Sequence, residues 1–225
     1  MLFDFFSPKI KLDLVELRKV FDNQRKTLLN LGYPELLGLN AEQFQKETEA
    51  VWKDFADKHQ NATFVQRGTI PLLLVATVKN INKALEKIHG HTDLEIPNIK
   101  MNTSVDDHFY ILLDVEDGER MIAKSPKESL KRFSREKRSP LNIHESIALL
   151  THYPHILTNH YVITAGSSLK KDKENMALLW QSDENNNLQL HYAWFDIAHG
   201  NYGTASCGAK IFIIKSFKLY GSYPK

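Results

Sequence analysis

The hydrophobic positions at the start of the chain fall on a helical period. Leu14, Leu17, Phe21, Leu28 and Leu31 recur along one face across residues 11–31, with Lys and Arg between them. Gly32 and Pro34 then stop the helix. Asn40 followed three residues later by Gln43 reads as a capping box. The next helix, 41–58, carries its stripe on Phe44, Val51, Trp52 and Phe55. These two helices predict a helical N-terminal part over 1–60.

Beyond it the period changes. Residues 70–78 are apolar except at Pro71 and Thr77, the pattern of a strand buried on both faces. A short helix follows over 80–89, using Ile81, Ala84, Leu85 and Ile88 and closed by His89-Gly90; 91–107 reads as a loop. Residues 108–115 predict a second strand, with Phe109, Ile111 and Leu113 alternating with Tyr110, Leu112 and Asp114 and a turn at Asp117-Gly118. Ser125-Pro126 with Glu128, and Asn142 with Glu145, open two further helices; the second covers 143–152 and is limited by Pro154.

The last third is rich in strands. Residues 160–164 form one; 176–182 and 188–195 form a hairpin around the polar loop 183–187. Pairing Ser182 with Leu188 sets Trp180 opposite Leu190, Leu178 opposite Tyr192 and Met176 opposite Trp194. A final strand is expected at 211–214. The pattern as a whole predicts an α+β fold: an N-terminal helical pair, a mixed central sheet and a C-terminal antiparallel hairpin. Residues 1–225 are expected to form one domain, with 61–225 its mixed α/β body.

Composition narrows the functional classes. With 29 Lys+Arg against 27 Asp+Glu the net charge is +2, too small to imply specific nucleic-acid binding. The single cysteine, Cys207, rules out an intrachain disulfide framework and thiolate clusters within the chain. No apolar run approaches the roughly 20 residues of a membrane-spanning helix, and Met1-Leu2-Phe3-Asp4 lacks the basic start of a secretion signal. A cytoplasmic location is expected.

The chemistry-bearing segments mostly fail their templates. Gly203 and Gly208 have P-loop spacing, but Ala209 stands where the lysine belongs and a β-branched run follows. His144-Glu145 starts a zincin-like helix, but Ala148 replaces the second histidine. His152, His155 and His160 lie near one another around Pro154, and read as a polar helix end rather than a metal site. Asp114, Glu116, Asp117 and Glu119 read as a solvated acidic turn. Residues 121–140 hold seven cations against two carboxylates, read as a solvated helix face. No cofactor signature or metal site is found.

The order of several short motifs resembles a known family. Phe21-Asp22-Asn23-Gln24 and Leu31-Gly32-Tyr33-Pro34-Glu35-Leu36 are followed by Ile70-Pro71-Leu72-Leu73-Leu74-Val75. Leu112-Leu113-Asp114-Val115, Arg138-Ser139-Pro140-Leu141 and Ala148-Leu149-Leu150-Thr151-His152-Tyr153-Pro154 come next. Ala177-Leu178-Leu179-Trp180 and Gly203-Thr204-Ala205-Ser206-Cys207 close the series. Together they resemble, over about residues 20–211, a bacterial domain family of unknown function common in actinobacteria. The resemblance implies a bacterial origin and a single folded unit, and carries no activity.

The functional expectation is therefore a module that binds a small ligand or a protein. Its recess is expected at the glycine-rich stretch 200–208, read as a tight turn, with Trp194, Asp196, Gly203 and Ser206 as ligand contacts. The alternative is a hydrolase- or transferase-type enzyme with Cys207 as nucleophile and His199 or His152 as base. A third reading docks an acidic partner on the basic segment 124–138.

Overall fold

The computed structural model describes residues 9–60, 62–92, 99–101, 108–169, 174–182 and 187–212. Two long helices lead, α1 (Leu14–Asn30) and α3 (Ala41–His59), joined by the short α2 (Tyr33–Leu36). Asp13 caps α1 by accepting from the amides of Val15 and Glu16, and Asn40 with Gln43 forms the expected capping box on α3. Phe21, Trp52 and Phe55 meet between them, with ring centroids 5.3 and 5.5 Å apart. A two-stranded ribbon, β1 (Lys9–Lys11) with β2 (Thr63–Val65), flanks this helical pair.

The helices lie on an antiparallel sheet of β3 (Ile70–Ala76), β6 (Phe109–Glu116), β12 (Ser206–Ile211) and β7 (Ser139–Pro140), in that order. Every residue of β6 is buried, so the expected alternation of an open face does not apply: this strand is central and covered on both sides. Asp114 within it has φ +54°, an unusual conformation for a non-glycine residue. By register, Pro71 of β3 and Gly208 of β12 fall opposite it. One lacks an amide hydrogen to pair and the other lacks a side chain, so both neighbours accommodate the distortion.

A second sheet is mixed. Its order is β11 (Tyr202–Thr204), β8 (Tyr161–Leu169), β9 (Asn175–Gln181), β10 (Leu188–Trp194) and β4 (Gly90–His91), with β5 (Ile99–Met101) also on β8. The β11–β8 and β10–β4 pairs are parallel and the rest antiparallel. The segment 91–107, read as a loop, thus contributes β5 and the end of β4; residues 93–98 and 102–107 lie outside the described residues. The hairpin forms with a register one residue from the expected one. Leu188 pairs with Gln181, Leu190 with Leu179 and Tyr192 with Ala177. Period-two alternation could not choose between the registers because β9 is buried on both faces.

Helix α6 (Ile143–His152) packs on β3 and β8, one strand from each sheet. That position explains why residues 143–151 are buried all round. One continuous apolar cluster takes in α1, α3, α6 and the facing sides of both sheets. The short α4 (Ile81–Glu86) joins it, and α5 (Pro126–Glu136) covers the far side of the mixed sheet. No helix among the described residues is long and apolar enough to cross a membrane.

Two histidines on α6 sit in this apolar setting. Burial pulls the His144 imidazole down to about 4, and it does the same to His152, against the backbone of Leu74. Between pH 6.5 and 4 the unfolded chain therefore takes up protons that the folded chain refuses, so stability falls as pH drops through this window. Each fully shifted imidazole accounts for on the order of 3 kcal/mol. Urea unfolding at pH 7 and 4.5 should show a smaller acid loss for His144→Gln than for the parent chain. Equal losses would contradict the assignment.

Candidate functional site

Two charged clusters occupy the interior of the antiparallel sheet. Arg138, following α5, is buried with its side chain 2% exposed and forms an ion pair with Asp114. Its guanidinium also donates to the Asp114 carbonyl (2.6 Å) and to Ser206 Oγ (2.9 Å), and lies 3.6 Å from Glu116. The second Asp114 oxygen accepts from the amides of Arg67 and Gly68 at 2.7 and 2.6 Å. Arg120 pairs with Glu116 and reaches Glu136, which also holds Arg132. The acidic residues read as a solvated turn thus include two buried carboxylates, Asp114 and Glu116. Part of the basic segment is likewise neutralised inside the fold, while Lys124, Lys127, Lys131, Arg135 and Lys137 stay exposed.

The second cluster surrounds Cys207. Glu145, wholly buried, accepts from Tyr110 Oη (3.0 Å) and from the Asn142 amide (2.7 Å), and pairs with Lys210 at 2.7 Å. Burial and then the Glu145 charge drive the Tyr110 hydroxyl well above its ordinary range. Burial, with Glu145 next, pushes the Cys207 thiol up to about 12. A nucleophilic thiolate needs the opposite environment.

The stretch 199–210 is not the tight turn expected. It is β11 and β12, strands of different sheets, with Ala205 alone between them. His199 is exposed and stacks on Tyr202, centroids 4.3 Å apart, at the edge of the mixed sheet. His152 sits at the end of α6. No hydrogen bond or ring contact joins either histidine to Cys207. Gly203 and Ser206 are buried within strands, whereas Trp194, the last residue of β10 (43% exposed), and Asp196 just after it lie on the surface. Ile213 and Ile214, expected in the final strand, lie outside the described residues. Native Cys207 should resist iodoacetamide at pH 8 for hours and label within minutes in urea. Rapid labelling of the folded chain would restore the nucleophile reading.

Close approach of backbone is where the glycines matter. Gly118, with φ +112°, turns the chain after β6 into a single 3-10 turn, Glu119–Met121. Gly203 lies against it: a Cβ there would fall on the Gly118 carbonyl and 3.0 Å from Cδ2 of His160. Behind this contact, a recess of about 360 Å³ opens where the 3-10 turn Pro154–Thr158 feeds β8. Its walls are residues 157–161, Gln181 at the end of β9 with Ser182 after it, and Asn201 before β11. It meets the expected loop at Asn201.

Polar groups dominate this wall, and no Asp, Glu, Lys or Arg is among them. His160 is 2% exposed; its Nε2 lies 3.2 Å from the Asp117 carbonyl, while Nδ1 is buried without a partner. Tyr161 belongs both to the recess and to a row of rings across three strands. Its centroid is 5.9 Å from Trp180 on β9 and 5.8 Å from Tyr202 on β11. The sequence reading weighed His160 only within the histidine group around Pro154 and as a strand start, placed Asn201 in the 200–208 stretch without naming it as a contact, and left Tyr161 and Gln181 out of the site. The available signal was a run of uncharged polar residues at three strand ends, which converge only once the sheet order is known.

A family model described as a family of unknown function, DUF5701, matches residues 27–213. No curated protein and no solved structure matches the chain.

Proposed function

The chain belongs to the DUF5701 family of unknown function, and on that premise we propose that it is a cytoplasmic module binding a small molecule in the recess at the start of β8. The observation that carries this reading is the recess itself, a concavity of about 360 Å³ walled by convergent uncharged polar side chains and one aromatic ring. Small-molecule sites occupy roughly 300–1,000 Å³ and use a few placed polar groups beside aromatic surface. Gly203 supports the site from behind, because only a residue without Cβ lets His160 and Gly118 close on it. Trp194 and Asp196 do not line this wall. The thiol environment gives a Cys207-centred enzyme no support.

Thermal denaturation across a panel of neutral and charged metabolites tests the reading. A ligand at 100 times its Kd adds about 2.7 kcal/mol of stability. That gain should vanish in Asn201→Trp, a change at an exposed wall position that fills the recess. Stabilisation that persists in Asn201→Trp would place the ligand elsewhere.

A further inference from the structure

We infer that the ligand of this recess is a neutral sugar ring, recognised through its hydroxyl groups. The inference rests on the reading above and adds its chemical class. It starts from His160. Gly203 faces the Cδ2 edge of the imidazole, and Nε2 meets the Asp117 carbonyl, which only accepts. Nε2 therefore carries a hydrogen, and in the neutral ring Nδ1 offers a lone pair on the opposite edge. That lone pair has no partner in the protein. A buried acceptor left unpaired costs about 1–3 kcal/mol, so a ligand bringing a donor gains what the free chain forgoes.

The rest of the wall selects among donors. Asn159 and Asn201 each contribute an amide, while the Thr158 hydroxyl donates to the His155 carbonyl at 2.6 Å and keeps only its accepting side. Amides both give and accept hydrogen bonds, and a hydroxyl is the ligand group that answers both with a single atom. The wall has no Lys or Arg to hold a phosphate or carboxylate and no Asp or Glu to hold an amine. Tyr161, backed by Trp180 and Tyr202, supplies apolar surface for the C–H face of a sugar ring.

Saturation-transfer NMR with the full chain tests this, using maltotriose, cellotriose and triacetylchitotriose as probes and adenosine and glucose 6-phosphate as comparators. At least one trisaccharide should bind and be displaced in Asn201→Trp, and glucose 6-phosphate should gain nothing from its charge. His160→Gln retains a donor for the Asp117 carbonyl and loses the Nδ1 acceptor, so it should weaken sugar binding at least tenfold. If that variant does not fold, Asn201→Ala at the exposed wall position should weaken binding about fivefold. Failure of all three sugars, or sugar binding indifferent to every variant, overturns the inference. Binding of adenosine or glucose 6-phosphate that Asn201→Trp abolishes, with none of the three trisaccharides bound, overturns the neutral-sugar class and leaves the recess as a site. Binding of none of the five probes, with no metabolite stabilising the chain, removes both.

Discussion

Replacing Arg138 with methionine should destabilise the protein by about 3–5 kcal/mol, the usual cost of stranding a buried charge. With total stabilities of roughly 5–15 kcal/mol, that is a large fraction of the whole. The guanidinium is 2% exposed and holds the Asp114 carboxylate, the Asp114 carbonyl and Ser206 Oγ, with Glu116 at 3.6 Å. Methionine fills much of the volume but leaves two carboxylates inside the sheet with one fewer cation. Lysine is no remedy, because a single ammonium cannot reproduce a planar fork across three acceptors. Adding Asp114→Asn to Arg138→Met should recover part of the loss, since the two residues are in contact and their effects are not additive. Urea midpoints at constant m-value measure both steps. A loss below 1 kcal/mol for Arg138→Met would mean that Arg120 and water already solvate the pair.

Gly203→Ala is expected to cost about 2–3 kcal/mol, at the upper part of the range for overpacking. The added carbon meets the Gly118 backbone carbonyl and the Cδ2 of the His160 ring. Gly118 cannot move aside easily, because its own φ of +112° defines the turn after β6. For a chain of this size the loss should lower Tm by roughly 4–12 °C. Gly200→Ala is the matched comparison: nothing lies within 4 Å of its Cβ position, so the change should stay within about 0.5 kcal/mol. Equal effects at both positions would show that the glycines act through chain flexibility and that the close approach is unimportant.

How far the chain could be read depended on whether a signal was local. Capping boxes at Asn40, Ser125 and Asn142 involve side chains three residues apart, and all three form as the sequence pattern predicts. The buried run of β3 was visible as an apolar segment, whereas β6 read as an alternating strand because Asp114 falls within it, and its burial on both faces appears only in the fold. The hairpin register was not visible, because Leu178 and Leu179 are both buried and alternation carries no preference between them. Asp114 and Glu116 looked like turn residues because their partner Arg138 is more than 20 positions away and sits in a segment dominated by exposed lysines. The recess was the least legible feature. Its walls come from residues 157–161, 181–182 and 201, whose convergence follows from β8 lying between β9 and β11. The family resemblance, placed near residues 20–211, agrees closely with the match over 27–213.

The single-residue crossing at Ala205 bears on how the protein is made. β11 joins the mixed sheet beside β8, and β12 then slots between β6 and β7 in the other sheet. Until residue 211 has left the ribosome, β6 therefore lacks its second neighbour and Arg138 lacks Ser206. Domains on a nascent chain gain structure from the N-terminus onward, and unpaired strand edges invite aggregation meanwhile. The helical pair and β3–β6 can assemble early, but both sheets are completed by the same late-emerging ten residues. Stalled chains ending before residue 202 should be protease-sensitive throughout the β6 region, and release past 211 should protect both sheets in one step.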